Sequence, residues 1–297
     1  MIKTGTIAVV IPVYNRKDEL VRALRSVFHQ TVAVDEVWVV DDASDIQLFP
    51  IDGLEHWSAL HYHRLPNRSN ANVARNKGAA LSNSDFIAFL DSDDEWEPNY
   101  LASCWPHLKK SPGAYFSGAK VIRNGEAIQK KSLPWHRGSS AINFLLDGGF
   151  AQTSSFIVDR HSFAEVRFDE SLKRHQDFDF FVRYDKAFTW EQLPVCAVLV
   201  HWEENRKVTR DASSEMTFIA RFADEISPRV LKRYLRMQYD YFFLHGQPSD
   251  YRLHQAFLPS IIDQLTFSEY KSFFKERPGW YRNTILGLHY IWCRLKG

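Results

Sequence analysis

Three short apolar segments near the start of the chain most constrain its fold. They comprise residues 6–11, 37–40 and 86–90, and none of them alternates between apolar and polar side chains. Short continuous apolar runs are typical of strands that are covered on both faces, as in parallel sheets. The sequence therefore predicts buried strands in the first third of the chain.

Helical patterns lie between these segments. Asn15 is placed to cap a helix that has Asp18 in its first turn. Apolar residues then recur at helical spacing: Leu20, Leu24, Val27 and Phe28. A weaker strand pattern over residues 60–63 precedes a second helical pattern over residues 73–81. Strands that alternate with helices predict an α/β fold, with a mainly parallel central sheet flanked by helices.

The remainder of the chain divides into two parts. Its predicted elements are strands over residues 114–121, 154–158 and 197–200 and a helix over residues 177–184. From residue 214 onward the pattern is helical and rich in aromatic residues. We therefore expect an α/β domain over residues 1–210 and a helical C-terminal region over residues 211–297.

Composition excludes several classes of protein. Lys and Arg number 37 against 36 Asp and Glu, so no global field favours nucleic acid as a partner. Cys104, Cys196 and Cys293 are too widely separated to form a metal or redox motif. No signal-peptide pattern and no apolar run of membrane-spanning length occurs. We expect a cytoplasmic protein, soluble or attached peripherally at the cytoplasmic face of the inner membrane.

Polar residues follow the predicted strands. Pro12-Val13-Tyr14-Asn15 follows the first strand, Asp41-Asp42 the second, and Asp91-Ser92-Asp93-Asp94 the strand at residues 86–90. The carboxyl ends of such strands form one crevice, where clustered carboxylates repel unless a cation or polar ligand lies between them. Oxygen ligands suit Mg²⁺ or Mn²⁺. The alternative is a solvated loop whose aspartates cap the following helix.

Four segments in this order closely resemble the family 2 glycosyltransferases: residues 10–16 (VIPVYNR), 39–44 (VVDDAS), 74–80 (ARNKGAA) and 89–94 (FLDSDD). The resemblance covers roughly residues 5–205 and implies the GT-A fold. It implies that residues 1–110 bind a nucleotide and residues 111–210 an acceptor. The implied reaction is an inverting transfer of one sugar from a nucleoside diphosphate donor, usually UDP-linked, to an acceptor hydroxyl.

The resemblance also assigns roles in donor binding. Pro12, Val13 and Tyr14 match the segment that packs on the nucleotide, with Tyr14 near the base or ribose. Asp42 matches the position that accepts a hydrogen bond from the uracil ring N–H, which suits an acceptor-only carboxylate. Arg75 matches a basic position near the base or diphosphate. The structural alternatives are that Tyr14 packs in the core, that Asp42 caps the turn after its strand, and that Arg75 pairs with a surface carboxylate on its helix.

The implied cofactor is Mn²⁺ or Mg²⁺, which would offset charge on the leaving diphosphate. Asp91 is expected near the ribose or a metal-bound water, and Asp93 is expected to be the direct ligand. Asp94 is a second candidate ligand. His201, at the end of the last predicted strand, is a third, although a lone histidine is more often a surface or core group.

An inverting transfer needs a general base that takes the proton of the acceptor hydroxyl. Asp177 matches the family's base position, which opens a helix, and Gln176 replaces the glutamate that is commoner before it. Asp179 would point to another side of the helix and cap or pair structurally. Residues 205–210 form a basic loop that either closes over the diphosphate or is simply solvated.

The aromatic side chains Trp135, His136 and Trp202 are candidate sugar-stacking surfaces. The tail has one apolar helical face, comprising Tyr281, Ile285, Leu288, Trp292 and Leu295, with basic residues around it. Such a helix lies on an anionic membrane surface, or packs on the protein's own core or on a second subunit as in a homodimer. Membrane contact would suit a lipid-linked glycan acceptor, which many bacterial relatives extend in surface polysaccharide biosynthesis.

Two other functions remain as alternatives. A sugar-1-phosphate nucleotidyltransferase would carry a glycine-rich, arginine-containing loop after the first strand, whereas here Pro12-Val13-Tyr14-Asn15 has no glycine. A non-catalytic nucleotide-sugar-binding protein would be favoured by loss of the acidic cluster or of the base, and both are present.

Overall fold

A computed structural model of the protein describes residues 5–54, 57–108, 113–123, 125–130, 133–202, 212–231, 233–234 and 237. The chain forms two compact units, Met1–Phe218 and Ile219–Gly297, and each is described by itself.

Strands and helices alternate through the first part of the chain. The strands are β1 (Ile7–Val13), β2 (Glu36–Asp41), β3 (Leu60–Arg64), β4 (Phe86–Phe89), β5 (Glu95–Trp96), β6 (Ala114–Arg123), β7 (Glu126–Lys130), β8 (Ile157–Asp159) and β9 (Trp190–His201). The helices are α1 (Lys17–Phe28), α2 (Ala71–Leu81), α3 (Tyr100–Cys104), α4 (Ala141–Leu146), α5 (Arg160–Glu165), α6 (Gln176–Ala187) and α7 (Ala212–Arg221). Short 3₁₀ turns lie at Trp105–His107, Thr153–Ser155 and Ala223–Glu225.

The nine strands that the structure describes belong to one mixed sheet. Its order is β3-β2-β1-β4-β8-β6-β9-β5, with β7 paired to β6 outside this path. The strands β3, β2, β1 and β4 are parallel, which confirms the α/β prediction for the first third. Beyond β4 the sheet is no longer parallel throughout, because β8 runs antiparallel to both β4 and β6. The parallel half sets the carboxyl ends of β1, β2 and β4 along one edge.

The core lies on both faces of this parallel half. Every residue of β1 is buried, as the unbroken apolar run predicts. Helix α2 approaches the sheet very closely at Gly78, where an added Cβ atom would lie 2.5 Å from Cγ1 of Val10 and 3.1 Å from Cγ2 of Val40. A residue without a side chain is therefore what lets α2 rest on β1 and β2.

Two local predictions from the sequence are wrong. Asn15 does not cap α1: the residue before the helix is Arg16, and Asn15 itself has a left-handed φ of 53°. Its side chain instead bonds Asp45, by donating to Oδ2 over 2.7 Å and accepting from the backbone N–H over 2.7 Å. The strand predicted over residues 154–158 begins only at Ile157, because Thr153–Ser155 forms a 3₁₀ turn.

In the second unit, the structure describes the end of α7, the 3₁₀ turn Ala223–Glu225 and helical residues at 228–231 and 233–234. The amphipathic tail helix predicted around residues 281–295 lies outside the described residues, as does the basic loop at residues 205–210. Among the helices that the structure describes, none combines the length and the apolar character needed to cross a membrane.

Candidate active site

A pocket of about 310 Å³ opens at the carboxyl ends of β1, β2 and β4. The N-terminal ends of α2 and α6 complete its wall. It is lined by Pro12, Val13, Tyr14, Arg16, Asp42, Ala71, Arg75, Asp91, Ser92, Asp93 and Gln176. All six residues expected to bind the donor, and the expected metal ligand Asp93, therefore meet in one cavity, as the edge of a parallel sheet predicts.

Strained backbone surrounds this pocket. Asn15, Ala43 and His175 are the non-glycine residues with positive φ in the described parts of the chain, at 53°, 57° and 55°. Each directly adjoins a residue that lines the pocket. L-residues occupy this conformation at a cost of about 1–3 kcal/mol, which persists only where surrounding structure enforces it. The turns after β1 and β2 and the turn into α6 thus have unusual backbone conformations next to residues that line the cavity.

Asp41 and Asp42 have different surroundings. Asp41 is fully buried and accepts from the Tyr62 hydroxyl over 2.6 Å and from Nη1 of Arg64 over 2.8 Å, so it holds β2 to β3. Asp42 lines the pocket, and its Oδ1 accepts from the backbone N–H of Ser69 over 2.7 Å. Burial raises the pKa of Asp42, opposed by this hydrogen bond and by the Arg68 charge. Of the pair, only Asp42 faces the cavity.

Tyr14 stands at the rim of the pocket. Its hydroxyl donates to Oδ2 of Asp45 over 2.8 Å, and the guanidinium carbon of Arg68 lies 4.1 Å from the centre of its ring. The ring is therefore fixed at both its polar end and one face. A planar aromatic surface held in this way suits packing against a nucleobase or ribose.

Arg75 projects from α2 into the pocket and is 3% exposed. Its Nη2 donates to Oδ1 of Asp91 over 2.6 Å, and its Nη1 donates to Oδ1 of Asn72 over 3.0 Å. The guanidinium carbon lies 5.2 Å from the centre of the Phe168 ring. The arginine is thus oriented by three groups before any ligand is bound.

Asp93 is paired with Arg16, which enters the pocket from the turn before α1. Arg22, on α1, donates from Nη2 to the backbone carbonyl of Asp93 over 2.7 Å, and its Nε lies 3.1 Å from Oε1 of Glu95. Sequence reasoning missed both arginines. Arg16 is the last residue of the motif at residues 10–16, so its position in the sequence could have indicated a role in the site. The contact of Arg22 depends on how α1 packs, and no sequence pattern indicates it.

Asp94 lies behind the pocket rather than in its lining. It is 5% exposed, and its Oδ2 accepts from the Ser154 hydroxyl over 2.5 Å while its Oδ1 accepts from the backbone N–H of His201 over 3.2 Å. Burial raises its pKa well above the ordinary value, and the charges of Asp91 and Asp93 add to that rise. Both oxygens of Asp94 therefore bond protein groups that hold β9 and the 3₁₀ turn.

His201 is joined to the same region through a different residue. Its Nε2 lies 2.6 Å from Oε1 of Glu95, the carboxylate that also faces Arg22. Among the residues that the structure describes, no three His, Cys, Asp or Glu side chains converge to form a metal-binding group. The roles of Asp94 and His201 as metal ligands stay predictions.

The acidic pair Asp91 and Asp93 fits a hard divalent cation. Both carboxylates line the pocket with side chains 32% and 21% exposed, and both supply the oxygen ligands that Mg²⁺ and Mn²⁺ prefer. Such ions keep several waters and bind through one or two carboxylates plus substrate phosphates, so a pair of protein ligands is sufficient. Arg16 and Arg75 add positive charge beside the same carboxylates.

Asp177 lies in the first turn of α6, next to Gln176 in the pocket wall. Its Oδ1 accepts from the backbone N–H of Phe178 over 3.0 Å. Burial raises the pKa of Asp177 to about 6; the Phe178 hydrogen bond and the Arg75 charge oppose the rise, and the Asp91 charge adds to it. Its partner in the helix, Asp179, is fully buried and pairs with Nε of Arg183 over 2.7 Å, as predicted for a structural carboxylate.

The sequence profile of Glycosyl transferase family 2 matches residues 8–169, more than half of the chain. The chain belongs to glycosyl transferase family 2. This confirms the family expected from the ordered motifs and the class of enzyme that goes with it, and the sheet described above is the GT-A fold of the family. Asp177 lies beyond the matched residues.

Curated relatives of this family 2 chain come from bacterial polysaccharide biosynthesis. It is 32% identical over 196 residues to the amylovoran biosynthesis glycosyltransferase AmsB of Erwinia amylovora, covering 62% of this chain and 65% of the relative. It is 29% identical over 183 residues to the putative colanic acid biosynthesis glycosyl transferase WcaA of Escherichia coli strain K12, covering 60% and 65%. The chain thus spans slightly less than two thirds of the length of these relatives.

Solved structures share the fold at low sequence identity. The structure of S. aureus TarS residues 1–349 in complex with UDP-GlcNAc superposes with a TM-score of 0.66 at 17% identity, covering 88% of this chain and 82% of that one. A second structure of the same TarS fragment gives a TM-score of 0.63 at 16% identity. At this identity the likeness extends to the fold.

The candidate sugar-stacking residues have unequal surroundings in this family 2 chain. Trp135 is buried, donates from Nε1 to the backbone carbonyl of Trp190 over 3.1 Å and packs among Phe144 and Phe181. It is therefore a core residue, and the proposal that it stacks on a sugar is wrong. Trp202 is 43% exposed at the end of β9 and remains a candidate.

Proposed function

We propose that this family 2 member is an inverting glycosyltransferase that moves one sugar from a UDP-linked donor to a hydroxyl of a glycan or lipid-linked acceptor in bacterial surface polysaccharide biosynthesis. Two findings support the process and the donor. The relatives named above act in amylovoran and colanic acid biosynthesis by their descriptions, and the TarS fragment was solved with UDP-GlcNAc.

One observation carries the proposal of catalysis. A single pocket brings together Asp42, Arg75, Asp91 and Asp93, and the carboxylate of Asp177 stands beside it with a pKa of about 6. A general base works best when its pKa is near the working pH, since it is then unprotonated and still basic enough to accept a proton. What distinguishes Asp177 from Asp185, whose pKa burial also raises to about 6, is its place beside the pocket and within reach of the charges of Arg75 and Asp91.

The protein groups divide the work of the transfer. Asp42 accepts a hydrogen bond from the N–H of the uracil ring, and Tyr14 packs on the nucleotide beside it. Arg75 and Arg16 set positive charge where the diphosphate leaves, and preorganised charge of this kind stabilises a transition state. A divalent cation bound through Asp93, with Asp91 beside it, would supply further positive charge to the departing diphosphate. Asp177 takes the proton of the acceptor hydroxyl as that oxygen attacks C1 of the sugar from the opposite face.

Thermal melting and donor hydrolysis test this function. The full chain is melted with Mn²⁺ and each of UDP-glucose, UDP-galactose, UDP-N-acetylglucosamine and UDP-N-acetylgalactosamine, because a bound ligand raises stability by mass action. We expect one donor to raise the melting temperature in the presence of Mn²⁺, to lose this effect with EDTA, and to be hydrolysed slowly. If a donor stabilised the protein but none was hydrolysed, the protein would bind nucleotide sugars without catalysing transfer. If none of these donors stabilised it, the proposal of a UDP-linked donor would be contradicted.

A further inference from the structure

Helix α2 is bonded through three asparagines to the segment that leads into α6. Asn70 donates to the backbone carbonyl of Glu170 over 2.7 Å. Asn76 donates to the carbonyl of Phe168 over 2.9 Å and accepts from the N–H of the same residue over 3.1 Å. Asn72 donates to the carbonyls of Asp169 and Leu172 over 2.7 Å and 3.1 Å. These three asparagines therefore hold the segment at residues 168–172 against the start of α2.

Asn72 differs from the other two asparagines in what its amide oxygen does. Its Oδ1 accepts from Nη1 of Arg75 over 3.0 Å, while its nitrogen holds the segment at residues 168–172. The side chain is 1% exposed and uses both the donor and the acceptor ends of its amide. A buried amide that is satisfied at both ends is rigid, because any rotation leaves a buried polar group unpaired.

The two ends of the Asn72 amide contact two parts of the site, the donor pocket and the segment before the helix that carries the base. On one side, Arg75 continues to Asp91 through its Nη2, so this end belongs to the donor pocket. On the other side, the segment at residues 168–172 runs into α6, whose first turn carries Asp177. The charge of Arg75 also acts on the pKa of Asp177, so the groups at the two ends lie within electrostatic reach of each other.

We propose that Asn72 is a positioning residue that couples donor binding to the placement of the base. Asn72 holds Arg75, which meets the nucleotide, and it also holds the segment at residues 168–172 before α6, so that the donor and the base are placed relative to each other. Release of the segment would leave the donor residues of β1, β2 and β4 in place but would misplace Asp177 for taking the proton of the acceptor hydroxyl. This inference rests on the proposed function, since it assigns the partner of Arg75 to a nucleotide donor and Asp177 to catalysis.

Three substitutions separate coupling from a merely structural role. Asn72→Asp keeps an oxygen that faces Arg75, adds a negative charge there, and sets an acceptor-only oxygen against the carbonyls of Asp169 and Leu172, so that it releases the segment. Asn72→Ala removes both ends. Asn70→Ser serves as the matched control, because a serine still caps α2 where Asn70 accepts from the N–H groups of Asn72 and Val73, yet loses the bond to Glu170 without touching Arg75.

The first measurement is the affinity for UDP with Mn²⁺, by titration calorimetry on the full chain. We expect Asn72→Ala to weaken UDP about tenfold, as loss of a hydrogen bond to a charged group predicts, and Asn70→Ser to change it less than about twofold. Combined with Arg75→Met, which keeps bulk without donors, Asn72→Ala should weaken UDP no further than Arg75→Met alone. Such non-additivity is the signature of a residue that acts through another.

The second measurement is turnover of the nucleotide sugar that the wild type hydrolyses fastest. Asn72→Asp should lower kcat about tenfold, since a small misplacement of a reacting group costs a factor of this order or more, and should raise the KM for the donor by a smaller factor. Asn72→Asp also decides the question if Asn72→Ala fails to fold. Additive losses of UDP affinity, or an unchanged kcat in Asn72→Asp, would overturn the coupling while the proposed function stands. A wild type that binds no UDP would overturn both.

Discussion

Nη2 of Arg75 lies 2.6 Å from Oδ1 of Asp91, and the two charges act in opposite directions on Asp177. The guanidinium lowers the pKa of Asp177 and the carboxylate raises it, while burial dominates and sets it at about 6. The pair expected to meet the donor therefore also modulates the basicity that burial gives to Asp177, the group expected to deprotonate the acceptor.

The transfer rate should follow the ionisation of Asp177. Because only the carboxylate accepts a proton, kcat should fall about tenfold per pH unit below a midpoint near pH 6 and level off above it. Asp177→Asn should lower kcat by about 10²-fold or more while UDP still binds. Rates across pH 4.5–8.5 and UDP calorimetry check this. A variant that keeps most of its transfer rate would show that Asp177 is not the base.

Asp179→Asn is the matched control for that experiment. Asp179 lies on the same helix turn but is fully buried against Arg183. Breaking a buried ion pair from one side is costly, by about 3–5 kcal/mol at most, so this variant should melt at a lower temperature. The midpoint of its rate against pH should stay near that of the wild type.

Substitution of Asp93 and substitution of its neighbour Asp94 should have different effects on Mn²⁺-dependent UDP binding. Asp93 lines the pocket, so Asp93→Asn should weaken Mn²⁺-dependent UDP binding at least about tenfold. Asp94 is buried with a raised pKa, and an amide could still accept from the His201 N–H and donate to Ser154. Asp94→Asn should therefore keep the stability of the fold and lose less affinity. If calorimetry showed that both variants lose the same UDP affinity in the presence of Mn²⁺, Asp94 would contribute to metal binding as much as Asp93 does.

Stability at pH 8 gives a second check on Asp94. A group whose pKa is raised by folding contributes stability that is lost as pH rises through the folded value, and the neutral amide avoids this loss. Asp94→Asn should therefore melt no lower than the wild type at pH 8. Asp94→Ala should cost about 1–3 kcal/mol for each hydrogen-bonding group left unpaired.

Gly78→Ala should destabilise the protein even though alanine is the better helix former. Its Cβ atom would lie 2.5 Å from Val10 and 3.1 Å from Val40, so α2 or the sheet must move. We expect a loss of about 1–3 kcal/mol in the free energy of unfolding, measured by urea denaturation. Ala80→Gly, at an exposed position of the same helix, measures the change in helix propensity alone and should lower the free energy of unfolding by about 1 kcal/mol. A stabilising Gly78→Ala would refute the close approach.

Tyr14 should contribute to nucleotide binding through its ring more than through its hydroxyl. Tyr14→Phe keeps the ring against Arg68 and removes the bond to Asp45, so UDP affinity should change less than about fivefold. Tyr14→Ala removes the ring and should weaken UDP about tenfold or more, as loss of a base-stacking aromatic does elsewhere. If both variants bind UDP as the wild type does, Tyr14 lies away from the nucleotide.

The donor half of the pocket could be predicted because its residues follow strands that the apolar pattern marks clearly. Asp42 directly follows β2, and Asp91 follows β4 after Leu90; parallel strands bring their carboxyl ends together whatever the details of packing. The predicted helix over residues 177–184 was also confirmed, within α6.

What could not be predicted depends on contacts between distant residues. Arg22 meets Asp93 only because of how α1 packs, and Asn72 meets Leu172 across the fold, with no trace in local patterning. Asn15 was mistaken for a helix cap because side-chain chemistry does not reveal a left-handed φ. Trp135 was a candidate for sugar stacking although it is buried, because an aromatic side chain in the sequence does not indicate whether it faces the core or a cleft.

The acidic segment at residues 91–94 is anchored on both sides. It leaves β4, which is bound to β1 and β8, and enters β5, where Glu95 and Trp96 pair with Leu199 and Val198 of β9. Surface loops usually tolerate added residues, but here an insertion would push Asp91 and Asp93 out of line between strands that cannot follow. In an insertion scan of the chain, this segment should stand out as one whose length, and not only its chemistry, is under constraint.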